Sequence, residues 1–369
     1  MKVTFENATI QDAIAKASRV APTRGEAFDK ASGIVMTLDA DDNTVMLRST
    51  NLRVFYLEVV DAVEVTGEGH WRFPAALLAG VAAKLPIGTG KHVTFEQIKG
   101  EVVMKSGRTT ARFRILDHKY YPIWEPFDPD KLEMVPDLGA RIKQVEWAAA
   151  ENADLSYAGI HLNGEIVIAT DRFRIAAVPC EAEPIYKPIT IPAGILKPVI
   201  AQMRDVAVGI DAGQFLLMPD VSTQIRTRIY EADYPSAALI PLTEKELPNK
   251  INIRKQALLE IIDRAVIFAS NDRAPKLTMI IGKGEVAVMC SDSETGLLGD
   301  AVELDGQCAH ARHTILFTPK NLTEALQAAP SDEVVFEYDI ENAALPVRID
   351  GGSGYVAVVM PRRPGEGDA

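Results

Sequence analysis

Short runs of alternating apolar and polar residues dominate the chain, and the clearest of them form a hairpin. Two runs rich in β-branched residues, 160–162 and 165–168, flank the pair Asn163-Gly164. Asn-Gly between such runs is the strongest short-range hairpin signal, because both residues accept the positive φ of a tight turn. The second run leads into Thr170 to Arg174, which we expect to be the loop where the hairpin ends. Loops held by rigid strands concentrate binding residues.

The same hairpin pattern occurs three times along the chain. Each copy has an apolar strand, a turn signal and a second strand that ends in Thr or Ser followed by Asn or Asp. These second strands are Thr44 to Asn51, Glu165 to Asp171 and Glu285 to Asp292. Taking Thr50, Thr170 and Ser291 as equivalent, the spacings are 120 and 121 residues. A fixed period of this kind indicates an internal structural repeat.

Two helices are predicted in each copy. One candidate opens the copy, and a second begins beside a proline after the repeated strand, where the missing N–H of proline is tolerated. The predicted helices are 10–20, 74–85, 141–152, 192–204, 254–266 and 319–329. Each copy then closes with alternating strands that end near Pro122, Pro235 or Pro361.

The length of 369 residues exceeds what one hydrophobic core usually spans, so several domains are expected. Polar, proline-containing segments at 128–130 and 247–249 are typical of domain boundaries. We therefore predict an α+β protein of three repeated domains, each with two helices against antiparallel sheets. The predicted domains are 1–125, 126–246 and 247–369.

The composition, 47% apolar and 24% charged, is that of a soluble globular protein. Met1 to Glu6 alternates like an edge strand and lacks the apolar core of a signal peptide, and no run approaches the length needed to span a bilayer. Cys180, Cys290 and Cys308 have no paired spacing, which favours reduced thiols. We expect a cytosolic protein.

The net charge of −12 argues at first against a nucleic-acid partner, because phosphate binding needs Lys and Arg. The six predicted helices nevertheless carry eleven Lys and Arg against six Asp and Glu. A basic helical face that tracks phosphates without reading bases suits a protein that slides on a duplex. The count is equally compatible with Lys and Arg serving as good helix formers on solvated faces.

Two further stretches are distinctive: 169–175, Ala-Thr-Asp-Arg-Phe-Arg-Ile, and the ending 355–363. The first is similar to the T-D-x-x-R-[LI] loop, and the second to the Y-V-x-x-M-P-x-R terminus, of the bacterial DNA polymerase III beta subunit, the sliding clamp. The strand and turn at 104–108 also resemble the first clamp domain. The resemblance runs the full length of the chain. It implies a ring of two copies joined head to tail, with helices lining a hole for double-stranded DNA. It also implies neither a cofactor nor catalytic chemistry.

The resemblance further implies a cleft that takes short peptides from the DNA polymerase and the clamp loader. The matching positions are Tyr157, Thr170, Arg172, Phe173, Arg174, Ile175, Pro235, Leu239, Val358, Val359, Met360, Pro361 and Arg362. Apolar residues among them would form the walls, and Arg172, Arg174 and Arg362 would take a carboxylate or orient a Gln.

For contact with DNA, Arg24 matches an inward-facing arginine of the family. Helix position alone suggests six further cations, namely Arg19, Lys84, Lys197, Arg204, Lys255 and Arg264. Each of these six is equally compatible with a plain surface charge.

The sequence also departs from the family pattern. A tail, Pro364 to Ala369, continues past the expected end, Gly25 to Phe28 replaces the usual segment after Arg24, and the loop from Pro235 to Pro241 is one residue short. These departures are compatible with a divergent or phage-encoded clamp, and the last of them lies at the predicted cleft.

Two functions of other classes remain open from the sequence. One is a multi-domain peptide-binding scaffold that has lost DNA. The other is a metal-dependent hydrolase using Cys308, His310 and His313, since thiolate and imidazole are zinc ligands. No fourth ligand lies nearby and a strand pattern follows, so the sequence favours a solvated loop and no metal site.

Overall fold

The structure is a computed structural model, and it describes most of the chain in eleven segments. These are 1–22, 31–150, 156–180, 187–193, 205–230, 232–269, 275–282, 284–292, 296–304, 312–342 and 345–363.

The first repeat contains two helices and two antiparallel sheets. Its elements are β1 (Lys2–Glu6), α1 (Asn7–Val20), β2 (Ile34–Asp39), β3 (Thr44–Thr50), β4 (Val54–Asp61), β5 (Glu64–Thr66), β6 (Gly69–Phe73), α2 (Ala75–Ala82), β7 (His92–Ile98), β8 (Glu101–Ser106) and β9 (Thr109–Arg114). The strand orders are β6-β2-β3-β4 and β5-β1-β7-β8-β9. Phe73 packs edge-to-face on Phe95 and Phe113, so aromatic side chains from both sheets meet in the core.

The second repeat follows the same plan. Its elements are β10 (Glu133–Val135), α3 (Leu138–Val145), β11 (Ile160–Leu162), β12 (Ile166–Thr170), β13 (Arg174–Pro179), β14 (Ile189–Ile191), β15 (Val206–Asp211), β16 (Gln214–Asp220), β17 (Thr223–Arg228) and α4 (Ser236–Glu244). Short 3-10 turns lie at Pro129–Lys131 and Glu146–Ala148. The strand orders are β14-β11-β12-β13 and β10-β15-β16-β17, and they match those of the first repeat except that the first repeat has an additional edge strand, β5.

The third repeat has the same order again. Its elements are β18 (Asn249–Arg254), α5 (Lys255–Val266), β19 (Leu277–Gly282), β20 (Glu285–Asp292), β21 (Gly296–Glu303), β22 (Arg312–Phe317), α6 (Pro319–Ala328), β23 (Glu333–Tyr338), β24 (Val347–Asp350) and β25 (Val356–Val359), with a 3-10 turn at Ile267–Ala269. The strand orders are β22-β19-β20-β21 and β18-β23-β24-β25. The predicted α+β fold class and its threefold repetition are therefore confirmed at the level of strand order.

Sheets continue from one repeat into the next. β4 of the first repeat pairs with β17 of the second, which makes an eight-stranded sheet. β13 of the second repeat pairs with β25 of the third and makes another. The two pairings are equivalent. In each, the strand that follows the repeated hairpin, β4 or β13, pairs with the last strand of the next repeat, β17 or β25.

Spatial contacts group the chain into two compact units. Unit 1 comprises 1–139 and 194–229, and unit 2 comprises 140–193 and 230–369. Each unit holds one eight-stranded sheet, and the residues of the second predicted domain are distributed over both units because of the strand sharing. The boundaries at 125 and 246 stay a prediction.

Most of the predicted helices are present, and packing determines the residues at which they begin and end. In α1, Ile10, Ala13, Ile14 and Ala17 are buried at the i, i+3, i+4, i+7 spacing of one helix face. The predicted helix 141–152 begins earlier, at Leu138, and tightens into a 3-10 turn at 146. The helix predicted at 192–204 lies mostly outside the described residues.

Three local expectations differ from the structure. β1 is not an edge strand, because β5 and β7 pair with it on both sides. The segment from Pro235 to Pro241, expected to be a loop, forms α4. Ala237, Ala238 and Leu239 are good helix formers, and Pro241 lies inside the helix. At the Asn163-Gly164 turn only Gly164 has positive φ, and Asn163 instead accepts the N–H groups of Glu165 and Ile166 through its side-chain oxygen.

Candidate functional site

Two side chains hold the loop at 170–174, in addition to the backbone bond from the N–H of Asp171 to the carbonyl of Arg174 at 3.4 Å. Thr170 Oγ1 donates to the carbonyl of Arg174 at 2.7 Å and accepts from the N–H of Arg172 at 3.1 Å. Asp171 Oδ1 accepts from the N–H groups of Phe173 at 3.0 Å and Arg174 at 3.1 Å. These bonds fix Arg172 at φ +80°, a conformation that non-glycine residues adopt only when their surroundings enforce it.

Arg174 points into the protein. Its Nε donates to Asp171 at 2.8 Å, its Nη1 bonds to Glu324 on α6, and its guanidinium carbon lies 5.1 Å from the centre of the Trp147 ring. We expected Arg174 to offer its charge to a ligand. The structure commits that charge to two carboxylates of the same unit, so Arg174 is a structural support of the loop.

Arg172 and Phe173 point outward from the same loop. Phe173 is 65% exposed, which is unusual for a side chain of this size and polarity. The guanidinium of Arg172 lies 5.0 Å from the centre of the Tyr157 ring, within the range of a cation–π contact. The loop therefore presents one aromatic and one cationic group to solvent.

An apolar floor lies beside the loop, where β13 and β25 pair. Ile175 lies opposite Val358, and Arg174 lies opposite Val359. The buried cluster under the floor is Ile168, Ile175, Ala177, Tyr234 and Val358, and the partly buried side chains packed on it are Tyr157, Ile166, Leu239, Ile240 and Val356. Leu239 reaches the floor from the first turn of α4. Pro235 lies at the N-cap of that helix and is not among the residues that line the groove described below.

Two titratable rings lie below this floor. His161 and Tyr234 stack with their centroids 4.7 Å apart, and His161 Nδ1 is 2.9 Å from Thr190 Oγ1. Burial lowers the pKa of His161 to about 4, and burial raises the pKa of Tyr234 above its usual value. Both rings are neutral at physiological pH.

A groove of about 810 Å³ opens next to Phe173 and the end of β25. It is lined by Arg172, Phe173, Pro275, Thr318, Asn321, Met360, Pro361, Arg362 and Arg363. Backbone bonds hold its walls together: the N–H of Met360 donates to Phe173 at 2.8 Å, and that of Arg362 donates to Leu316 at 2.7 Å. Arg362 Nη1 donates to the carbonyl of Pro275 at 2.9 Å. Met360 is 38% exposed and forms an apolar patch with Phe173.

The predicted cleft residues thus fall into two roles. Tyr157, Arg172, Phe173, Leu239, Met360, Pro361 and Arg362 present surface at the floor or the groove, whereas Thr170, Arg174, Ile175, Val358 and Val359 are buried and shape it. Pattern reasoning missed Trp147, Pro275, Thr318, Asn321, Glu324 and Arg363. Only Arg363, the last residue of the terminal motif at 355–363, carried a signal in the sequence.

The predicted DNA-facing cations differ in their exposure and in their partners. Arg19 and Lys84 are exposed at the ends of α1 and α2. Lys255 Nζ donates to the carbonyl of Ala329 at 2.8 Å, and Arg264 pairs with Asp300 through Nε at 2.7 Å and Nη2 at 2.6 Å. The last two cations therefore have structural partners. Arg24, Lys197 and Arg204 lie outside the described residues.

Cys308 and His310, as well as Gly25 to Phe28 and the tail 364–369, also lie outside the described residues. His313 is buried in β22, and its ring stacks 5.4 Å from that of Tyr338. Among the residues that the structure describes, no three His, Cys, Asp or Glu side chains are close enough to share a metal ion. Nor is any described helix both long and apolar enough to cross a bilayer.

The fold as a whole matches solved sliding clamps. The DNA polymerase III beta subunit of Thermotoga maritima superimposes with a TM-score of 0.82 at 20% identity, over 99% of this chain and 100% of that one. The beta subunit of Streptococcus pyogenes gives 0.80 at 18%, and a sliding clamp of Pseudomonas aeruginosa, solved bound to griselimycin, gives 0.80 at 16%, both with the same coverage. No protein-family model and no curated protein matches the chain. The chain therefore has the sliding-clamp fold.

Proposed function

We propose that this protein is a DNA polymerase processivity factor, a sliding clamp that encircles duplex DNA as a head-to-tail dimer. The likeness in fold over 99% of the chain is the observation that carries the proposal. A ring retains DNA by enclosure, so it needs sequence-independent contacts and no catalytic group. The polymerase and the clamp loader bind through short peptides at the cleft of unit 2.

The pattern of strand sharing supports ring closure by a second copy. β4 pairs with the last strand of the second repeat, and β13 pairs with the last strand of the third. β21 is the corresponding strand of the third repeat, so by the same rule it would pair with the last strand of a first repeat, β9. Among the described residues, both β21 and β9 are edge strands of their sheets. Pairing β21 of one copy with β9 of its partner, twice, is a heterologous contact that closes with two copies.

The two open edges have complementary charges. β9 carries exposed Arg112 and Arg114, while β21 carries Asp300, already paired with Arg264, and exposed Glu303. No residue of β21 is buried, and Leu297 is 56% exposed. Ile267, in the 3-10 turn beside this strand, is 67% exposed. A long exposed edge strand with apolar side chains invites pairing with another chain.

Light scattering tests the dimer directly. The full chain should have twice the mass of one copy, and Ile267→Asp with Leu297→Asp should yield the monomer, because both changes bury a charge in the interface. Val221→Asp is the matched control, since Val221 is 93% exposed on a turn between β16 and β17. The proposal would be contradicted if the wild-type chain were a monomer, or if the control variant lost the dimer to the same extent.

Retention on DNA tests encirclement. Loaded on nicked circular DNA, the dimer should stay bound at high salt, and it should be lost when the circle is cut, since it can slide off an end. Equal loss from circular and linear DNA would discard the clamp proposal.

The cleft is tested with a peptide taken from a bacterial replicative DNA polymerase. Met360→Ala combined with Phe173→Ala should weaken binding while the dimer stays intact, because these two side chains form the exposed apolar patch. Unchanged affinity would show that the peptide binds elsewhere.

One alternative keeps the cleft and discards the DNA. It is a multi-domain peptide-binding scaffold, and the partners of Lys255 and Arg264 favour it, since these cations are engaged within the protein. Peptide binding without retention on circular DNA would establish this alternative.

A further inference from the structure

We propose that His70 and His118 form a binding site for a divalent transition-metal ion such as zinc, with water molecules completing the coordination. His70 lies on β6 and His118 in the segment that follows β9, and both residues belong to unit 1. The proposed clamp function does not use this surface, so the metal site can be tested and refuted independently of it.

The two imidazole rings are in contact. Their centroids lie 3.9 Å apart, and their planes are nearly perpendicular, at 84°. Two imidazoles bound to one tetrahedral zinc ion, with Zn–N distances of about 2 Å, have centroids about 5 Å apart. The rings therefore need to separate by only about 1 Å to share an ion. Both residues are exposed, and exposed side chains rotate this far readily.

Both imidazoles are available as ligands. Among the described residues, no hydrogen bond or ion pair engages either ring, whereas the ring of His161 lies 2.9 Å from the Thr190 hydroxyl. Partial burial, the charge of His118 and the charge of Arg48 lower the pKa of His70, in that order. A lower pKa keeps the ring neutral, and neutral imidazole is the form that binds metal ions.

The backbone on both sides of the pair is held in place. The N–H of Leu116 donates to the carbonyl of Arg72 at 2.7 Å, which joins the segment after β9 to β6. Arg72 Nη1 donates to the carbonyl of Asp117 at 2.5 Å, and its guanidinium lies 4.9 Å from the centre of the Tyr121 ring. Binding of an ion would therefore restrict only the two histidine side chains, and the backbone is already ordered.

The histidine pair is peculiar to the first repeat. The backbone bond between the segment and the strand recurs in the other two repeats, from Tyr230 to Thr190 and from Arg362 to Leu316. Counted two residues from these bonds, the positions equivalent to the two histidines are Pro188, Ala232, Thr314 and Pro364. The plan of the repeat therefore does not require imidazoles at these positions.

The surrounding charges indicate a weakly held, exchangeable ion. Arg48 carries a positive charge near His70, and among the described residues no third His, Cys, Asp or Glu side chain completes the site. Water then fills the remaining positions of the ion. The same pair does not suit an anion, because an anion needs protonated rings and the pKa of His70 is lowered.

Isothermal titration calorimetry of the full-length protein with zinc chloride tests the site. His70→Gln and His118→Gln should each weaken one zinc site at least about tenfold, since loss of a residue that merely supports a metal ligand already costs that much. His92→Gln is the matched control, because His92 is an exposed histidine of the same repeat with no ring partner among the described residues. It should leave zinc binding unchanged.

Pulsed electron paramagnetic resonance of bound Cu²⁺ counts the ligands, since Cu²⁺ binds imidazole sites more tightly than zinc does. The wild-type chain should show two imidazoles on one ion, and each single variant should lose that signal. Zinc affinity should fall as the pH is lowered from 7 to 5, because protons compete for the ring nitrogens.

Zinc binding that is unchanged in both variants overturns the inference and assigns the ion to other residues, among which Cys308 and His310 are the first to replace. Weakening in only one variant, or equal weakening in His92→Gln, also overturns it, because the site requires this pair. None of these outcomes bears on the dimer, on retention by circular DNA or on peptide binding.

Discussion

Two loops, 50–54 in unit 1 and 170–174 in unit 2, have the same backbone and different surfaces. In the first, Thr50 Oγ1 donates to Val54 at 2.6 Å and accepts from Leu52 at 2.9 Å, and Asn51 Oδ1 accepts from Arg53 at 3.0 Å and Val54 at 2.8 Å. Thr170 and Asp171 make the same four bonds in the second loop. The third residue has positive φ in both, +70° in Leu52 and +80° in Arg172.

The difference lies in the side chains that the shared backbone displays. Where unit 1 has Leu52, Arg53 and Val54, unit 2 has Arg172, Phe173 and Arg174. Val54 and Arg174 are both buried, one in an apolar core and the other in an ion-pair network. A Thr-Asx pair is therefore a structural device of the repeat, and the cleft depends on what the next three positions carry.

The largest difference between the two regions is expected in how their stability changes at acidic pH. His161 pairs with Ile168, two residues before Thr170, and the register makes Val35 its equivalent in unit 1. A His161 pKa of about 4 in the folded state, against 6.5 unfolded, means that the folded protein binds fewer protons between these pH values. The contribution of neutral His161 to the free energy of unfolding is therefore complete above pH 6.5. It is lost as the pH falls to about 4, and the loss is roughly 3 kcal/mol.

This loss can be measured by amide hydrogen exchange from pH 7 to pH 4, comparing the protection of β12 with that of β3. His161→Val with Thr190→Val should flatten the pH dependence of β12 and leave β3 unchanged, since the double change removes the titrating ring and its hydroxyl partner together. A persistent acid loss in β12 would assign the effect to other groups.

Arg174→Val, which copies Val54, should destabilise unit 2 by about 2 kcal/mol, because Asp171 loses its cation and Glu324 keeps only the more distant Lys320 at 3.9 Å. This loss of stability is smaller than that expected for a fully buried ion pair, because Asp171 and Glu324 are partly exposed and solvent screens their charges. Adding Glu324→Gln should restore part of the stability. Denaturation followed through Trp147 fluorescence, with Trp71 and Trp124 replaced by Phe, is the measurement, and no recovery in the double variant would argue against the ion pair.

Thr170→Val and Thr50→Val should each cost about 1 to 2 kcal/mol, because each leaves a buried carbonyl and an N–H without a partner. The stability losses should match, but only Thr170→Val should weaken peptide binding. Local hydrogen exchange and peptide anisotropy separate the two effects. Weaker binding in Thr50→Val would show that the loops are coupled and refute their independence.

The smallest effect is expected at the residues with positive φ. Arg172→Gly and Leu52→Gly should change stability by less than about 1 kcal/mol, because relief of strain offsets the greater freedom of glycine in the unfolded chain. Thermal denaturation is sufficient to measure it. A loss beyond about 2 kcal/mol in Arg172→Gly would mean that this side chain supports the fold.

The sequence predicted the repeat well because its signal is local. Turn residues and strand periodicity recur at a fixed spacing around Thr50, Thr170 and Ser291, and β2-β3, β11-β12 and β19-β20 form as expected. The helix α4 was missed because Pro241 usually ends helices, whereas here it lies inside one.

The cleft was predicted less completely. The resemblance named a loop and two strands that lie next to each other in the structure, but it did not show that Arg174 turns inward to Glu324, a partner 150 residues away. No periodic pattern encodes such a pairing. The groove wall formed by Pro275, Thr318 and Asn321 also depends on tertiary packing, so it became visible only in the structure.

The open edges β9 and β21 have a genetic consequence. In the proposed dimer, a copy with a damaged β21 still offers an intact β9, so it would join a normal copy and leave one seam of the pair unsealed. Such a gap would let DNA escape from assemblies that contain a healthy subunit. We therefore expect lesions in β21 to act dominantly when both versions are expressed together, whereas lesions confined to the peptide groove should be recessive.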